Sequence, residues 1–103
     1  MGWNISHGGT PGTTYSYTTM EELFDRLEKA ASWRQRRTLK PLLSRRKGEA
    51  FFSIEPRTAA DIGATLIDLA PLLPRDDDWK GLATQFGQSA LRAASANQPW
   101  VWR

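Results

Sequence analysis

Trp100-Val101-Trp102 sets two indole rings on one side of an extended segment only three residues long, which cannot bury them by itself. A tryptophan withdraws about 150–250 Å² from water when buried, so the rest of the chain must supply a surface for this end of the sequence to lie on. At the other end Trp3 and Ile5 share one side of a short strand over Gly2–Ser6, and between them Ala50–Ile54 (AFFSI) is the most strand-like run, bounded by Gly48 and Pro56. The three segments predict one small sheet that includes both chain termini, with Ala50–Ile54 as its central strand, because chain ends commonly lie close together. Alternation turns Trp102 the same way as Trp100 and leaves it at the sheet edge beside Arg103, where an exposed tryptophan with an arginine makes a contact pair of the kind enriched at interfaces.

The remaining segments read as four helices. Thr18 or Thr19, followed three residues on by Glu21 or Glu22, forms a capping-box signature. Met20, Leu23, Phe24, Leu27 and Ala31 then follow at i, i+3, i+4, i+7 and i+11, the stripe that faces a core. Ser32 caps a second helix, in which Leu39, Leu42 and Leu43 share one arc; Pro41 kinks it or splits it near Lys40, and Gly48 stops it. Pro56 suits the first turn of a third helix with Ala59, Ile62, Gly63, Leu66, Leu69 and Ala70 on its apolar side, and Leu72 and Leu73 form a buried connection between two prolines. Asp78 caps the last helix, which carries Trp79, Leu82, Ala83, Phe86 and Ala90 at helical spacing and ends at Asn97-Gln98-Pro99. His7–Thr14 is loop by its glycines and proline, and Tyr15 and Tyr17, alternating with Ser16 and Thr18, extend that loop or pair briefly as a further strand. Trp33, Trp79 and Trp100 fall at element boundaries and are expected to anchor the core. The fold class expected is α+β, four helices packed against a small sheet, in one domain spanning 1–103.

Charge is distributed unevenly. Between Trp33 and Lys47 stand Arg34, Arg36, Arg37, Lys40, Arg45, Arg46 and Lys47 without one acidic residue; that window carries +7, so the rest of a chain that totals +3 is net −4. Like charges held close repel unless something offsets them, and a concentrated patch therefore points to an anionic partner. An acidic protein surface is the first expectation and nucleic acid the alternative. Against nucleic acid stand the modest net charge and the want of a helix-turn-helix or base-stacking signature. The competing reading is a solvated helix face whose cations pair with Asp76–Asp78 or with the acidic side of the first helix.

Candidates for chemistry are few. The single histidine, His7, neighbours Ser6 in a polar loop, and sequence neighbours seldom form a catalytic pair. GGTPGTT lacks the lysine and spacing of a phosphate-binding loop. Asp76, Asp77 and Asp78 suit a helix start without any calcium-loop pattern around them, and Asp61 and Asp68 share a solvated helix side. The chain contains no cysteine, so disulfides, thiolate metal sites and cysteine nucleophiles are excluded, which fits a reducing compartment. No window approaches the roughly 20 apolar residues needed to cross a bilayer, and the first residues lack the basic start and apolar run of a signal peptide. The expectation is a cytoplasmic, non-enzymatic binding protein without metal, cofactor or membrane contact, regulating or inhibiting its partner.

The MGWNISHG start, the tryptophan ahead of a leucine-bearing helix, AFFSIEP before an alanine-rich helix, DDDW opening the last helix and the PWVW end together resemble a family of small uncharacterised proteins from actinobacteria and their phages. The resemblance spans nearly the whole chain. It implies a soluble intracellular accessory protein, carried in some cases by mobile elements, and brings no activity, substrate or site residues.

Overall fold

A computed structural model describes residues 2–7, 13–44, 52–75 and 78–102. In chain order these form β1 (Gly2–His7), β2 (Thr13–Ser16), α1 (Tyr17–Ala30), α2 (Trp33–Leu43), β3 (Phe52–Ile54), α3 (Pro56–Leu69), a 3₁₀ turn (Ala70–Leu72), α4 (Trp79–Ser95) and β4 (Trp100–Trp102). The α+β class holds, and both ends of the chain enter the sheet. The brief pairing considered for Tyr15 to Thr18 is β2, which ends at Ser16, one residue before Tyr17.

The sheet has the order β2-β1-β4-β3, and every neighbouring pair is antiparallel. This corrects two expectations. Phe52–Ile54 is an edge strand rather than the central one, and the segment bearing Trp102 runs between β1 and β3. The register explains why β4 takes the inside place. Ile5, Trp102 and Phe52 align across three strands, and Trp100 pairs with Ile54 in the next row on the same side, so Trp102 lies where bulky neighbours flank it on both sides. Trp102 is 0% exposed. Its ring stacks on Phe52 at 5.6 Å between centroids and 18° between planes, meets Trp100 edge-on at 5.1 Å, and lies 6.0 Å from Phe86 and 6.2 Å from Phe24. A ring so enclosed has no face left for a partner, and the contact role expected of Trp102 is thereby overturned. Trp100 is equally buried and donates from Nε1 to Ser89 Oγ at 3.0 Å. Ser53 and Val101 occupy the opposite side of the sheet, more exposed than the rows they separate.

The helices follow their apolar stripes with shifted ends. Ser16, not Thr18 or Thr19, caps α1: its Oγ accepts from the Thr19 amide at 3.1 Å, which puts both threonines inside the first turn. Met20, Leu23, Phe24, Leu27 and Ala31 are all buried as the spacing requires. In α3, Pro56 occupies the first turn, and Ala59, Ile62, Gly63, Leu66 and Leu69 face inward. The 3₁₀ turn then places Ala70 and Leu73 on one side, since residues three apart eclipse there. Leu72 is consequently turned outward at 64% exposure, against the expectation that both leucines are buried.

Asp78 caps α4 by accepting from the Gly81 amide at 3.2 Å. At the other end Asn97 adopts φ 54°, its amide donates to Ala94 O and that of Gln98 to Ala93 O, both at 2.9 Å. This paired closure around a left-handed residue is the Schellman arrangement, with Pro99 preventing further helix. It turns the chain back into β4. Helices α3 and α4 cross at Gly63 and Gly87: a Cβ on either would lie within 3 Å of the other's carbonyl oxygen.

Candidate basic face on the second helix

Helix α2 begins with a complete capping box. Ser32 Oγ accepts from the Gln35 amide at 3.2 Å, and Gln35 Oε1 accepts from the Ser32 amide at 2.8 Å. Leu39, Leu42 and Leu43 are buried and fix the helix to the core. Pro41 does not split the helix at Lys40, because it stands in the last turn; the one amide it lacks would have served the carbonyl of exposed Arg37, which water can reach. The Ser44 amide closes the end on Lys40 O at 2.9 Å, before the Gly48 expected to terminate it.

Arg34, Arg36, Arg37 and Lys40 are all exposed. Arg36 is tied down, donating from Nε to Ala31 O at 3.2 Å across the α1–α2 junction. Arg45, Arg46 and Lys47 lie outside the described residues, as does Gly48, so four of the seven expected cations have a defined place. Trp33 stands among those four rather than in the core. It is 64% exposed, and the Arg34 guanidinium lies over its ring at 5.7 Å from the centroid. The core-anchor expectation is corrected for this residue and holds for Trp79 and Trp100, which are buried. Helical spacing contains the signal: at 100° per residue Trp33 points about 130° away from the centre of the leucine arc.

Trp33, Arg36, Arg37 and Lys40 recur at i, i+3, i+4 and i+7, so they form one stripe about 10 Å long. Between this stripe and α1 runs an open groove of about 500 Å³, lined also by Leu43 and by half-buried Glu28 of α1. Sequence reasoning found the cations and missed the groove and its tryptophan. The groove depends on how α1 and α2 pack.

The other candidates are dispersed. Asp78 uses its carboxylate on the α4 cap, and Asp61 and Asp68 point to solvent from α3. Asp76 and Asp77, the GGTPG loop and the side chains of Trp3 and His7 lie outside the described residues. Among the described residues no group of three histidines or carboxylates is placed to hold a metal ion, and no helix is long and apolar enough to cross a membrane.

No curated protein and no solved structure matches this chain. A family model matches residues 7–103, which is nearly the whole sequence, and the chain therefore belongs to the family described as a domain of unknown function (DUF7739).

Proposed function

We propose that this is a non-enzymatic binding protein that regulates or inhibits a macromolecular partner by presenting Arg34, Arg36, Arg37 and Lys40 to an acidic protein surface. One observation supports the reading above others: four exposed cations follow one another on a short helix that three buried leucines hold in place. Cations arranged in this way attract an anionic surface from a distance and meet it with little loss of backbone freedom. Arg45, Arg46 and Lys47 continue the positive run in the sequence and add to the attraction. The reading includes a cytoplasmic setting and an accessory role in actinobacteria or their phages, in line with the absent cysteines and with ten arginines to four lysines.

Nucleic acid is the second reading, and exposed Trp33 beside Arg34 favours it, because an aromatic face flanked by a guanidinium can stack on an unpaired base. The test is affinity capture from host lysate, with and without nuclease, comparing the wild-type chain with Arg34→Glu/Arg37→Glu/Lys40→Glu. A discrete protein retained through nuclease and lost with the variant supports the protein reading. Recovery of nuclease-sensitive material alone replaces it with the second, and equal capture by both proteins means that the basic face is solvated surface.

A further inference from the structure

We infer that β2 is a docking edge whose occupant is β2 of a second copy of this chain, paired antiparallel about a two-fold axis so that two four-stranded sheets become one of eight strands. The inference goes beyond the binding reading above and does not rest on it.

The sheet has two edges, β2 and β3. Alternate residues of an antiparallel strand bond one neighbour, so the others in Thr13–Ser16 aim their N–H and C=O groups away from β1. Among the described residues no backbone hydrogen bond reaches that outer side. Such a row is a template for a further strand, and proteins commonly blunt it with lysine, proline or a bulge. Thr13-Thr14-Tyr15-Ser16 contains neither charge nor proline, and it pairs with β1 residue for residue without a bulge. The strand is also held in place. Tyr15 lies edge-on to Phe86 of α4 at 4.6 Å between centroids and its hydroxyl donates to Gln85 Oε1 at 3.1 Å, so little freedom remains to be lost on pairing.

Charge separates the two edges and selects the occupant. Pro41 and Ser44 of α2 line one hollow with Phe52, Ser53 and Ile54, which sets the end of the cationic helix beside β3. Two copies joined through β3 would bring their basic faces together. Joined through β2, their β3 strands stand seven strand spacings apart, about 34 Å. That is several times the screening length of about 8 Å at physiological salt. The charges that follow β2 most closely are of mixed sign, Glu21 and Glu22 with Arg26 one turn later. β2 set against itself opposes neutral residues to neutral residues, whereas a charged partner strand would find no counter-charge along it. A two-fold axis engages the same edge in both copies, so assembly stops at a dimer with a basic face at either end.

The experiment is analytical ultracentrifugation of the full chain from about 10 µM to 1 mM. A four-residue pairing buries less than the roughly 1,200 Å² of stable interfaces, and a dissociation constant on the order of 0.1 mM is expected. Thr14→Lys and Thr14→Glu, which place like charges near the axis, should each weaken association at least tenfold, and an equimolar mixture of the two should recover it. Ser53→Lys, on the other edge, should dimerise as the wild type does; circular dichroism checks the fold of each. A wild type that stays monomeric at 1 mM overturns the inference. So does a dimer that survives both Thr14 variants, a mixture that does not recover, a loss with Ser53→Lys, or assemblies that grow beyond two copies.

Discussion

Replacing Gly63 by alanine puts the close crossing of α3 and α4 to a direct test, because two effects of opposite sign meet at this position. Alanine is the better helix former by about 0.8–1.0 kcal/mol in a helix interior. Were propensity the only factor, Gly63→Ala would raise the melting temperature by a few degrees. The added methyl, however, would lie 2.8 Å from the Gly87 carbonyl oxygen and 2.9 Å from Leu91 Cγ, where ordinary contact begins near 3.4 Å. The first obstacle is backbone and cannot rotate away, so α3 and α4 must separate by about half an ångström, loosening Ile62, Leu66, Ala83 and Ala90, all fully buried. Overpacking of this kind costs about 1–3 kcal/mol, and a rigid obstacle puts this case near the upper end. Subtracting the propensity gain leaves a net destabilisation of about 2 kcal/mol, a fall in melting temperature on the order of 10 °C for a domain of this size. Urea unfolding followed by circular dichroism at 222 nm measures it directly. Gly87→Ala should behave alike, its Cβ falling 2.7 Å from Ile67 Cγ1 and 2.9 Å from the Gly63 carbonyl oxygen. The double variant should lose less than the sum, since helices already parted for one methyl admit the second more easily. An unfolding midpoint for Gly63→Ala equal to or above the wild type would refute the reasoning.

Trp102→Ala should cost about 3–5 kcal/mol, enough to unfold much of the population at room temperature, whereas an edge-exposed tryptophan would cost little; the folded fraction from near-ultraviolet circular dichroism decides. Asp78→Ala and Ser32→Ala each remove a side-chain cap and should lower stability by about 1 kcal/mol in urea titrations, with the glycine replacements losing only a few tenths. Arg37→Glu/Lys40→Glu should alter the unfolding free energy by no more than about 0.5 kcal/mol, since both side chains are exposed; a larger loss would make them structural rather than available to a partner. Trp100→Phe deletes the donor to Ser89 Oγ and should cost about 1 kcal/mol beyond the lost ring area, to be separated by a double-mutant cycle with Ser89→Ala.

Local patterns in the sequence carried the helices. The Ala59, Ile62, Leu66 and Leu69 stripe behind Pro56, and the Asp78 cap ahead of Trp79, are written in residues three or four apart, and the structure follows them closely. Strand order was hidden because it depends on distant segments. Alternation correctly puts Trp100 and Trp102 on one side, yet nothing local shows that β4 has β1 on one flank and β3 on the other, so the local pattern fits an edge place for Trp102 just as well. The cap of α1 was concealed by competition: Ser16, Thr18 and Thr19 all have the chemistry, and only the end of β2 at Ser16 selects among them. Trp33 differs, since its angle from Leu39, Leu42 and Leu43 was legible and was outweighed by the general tendency of tryptophan to be buried. At the candidate site the positive charge was thus readable residue by residue. The groove beside it was not, because Glu28 reaches the same hollow only once α1 and α2 have packed.

The place of β4 between β1 and β3 also bears on how the chain reaches this structure. Ile5 opposes Trp102, so the innermost pairing of the sheet joins residues 97 positions apart, and closing a loop of that length costs about 4 kcal/mol of chain entropy before any contact repays it. The α3–α4 crossing of Gly63 and Gly87 closes a loop of about 24 residues for about 3 kcal/mol, about 1 kcal/mol less, and is the natural earlier event. Until β4 arrives, β1 and β2 are an isolated hairpin, β3 has no strand beside it, and the rings of Phe24, Phe52 and Phe86 lack the indole they surround. The last strand to join therefore completes the sheet and the aromatic centre in one step, which makes the transition cooperative: tryptophan fluorescence and helical circular dichroism should report the same unfolding curve.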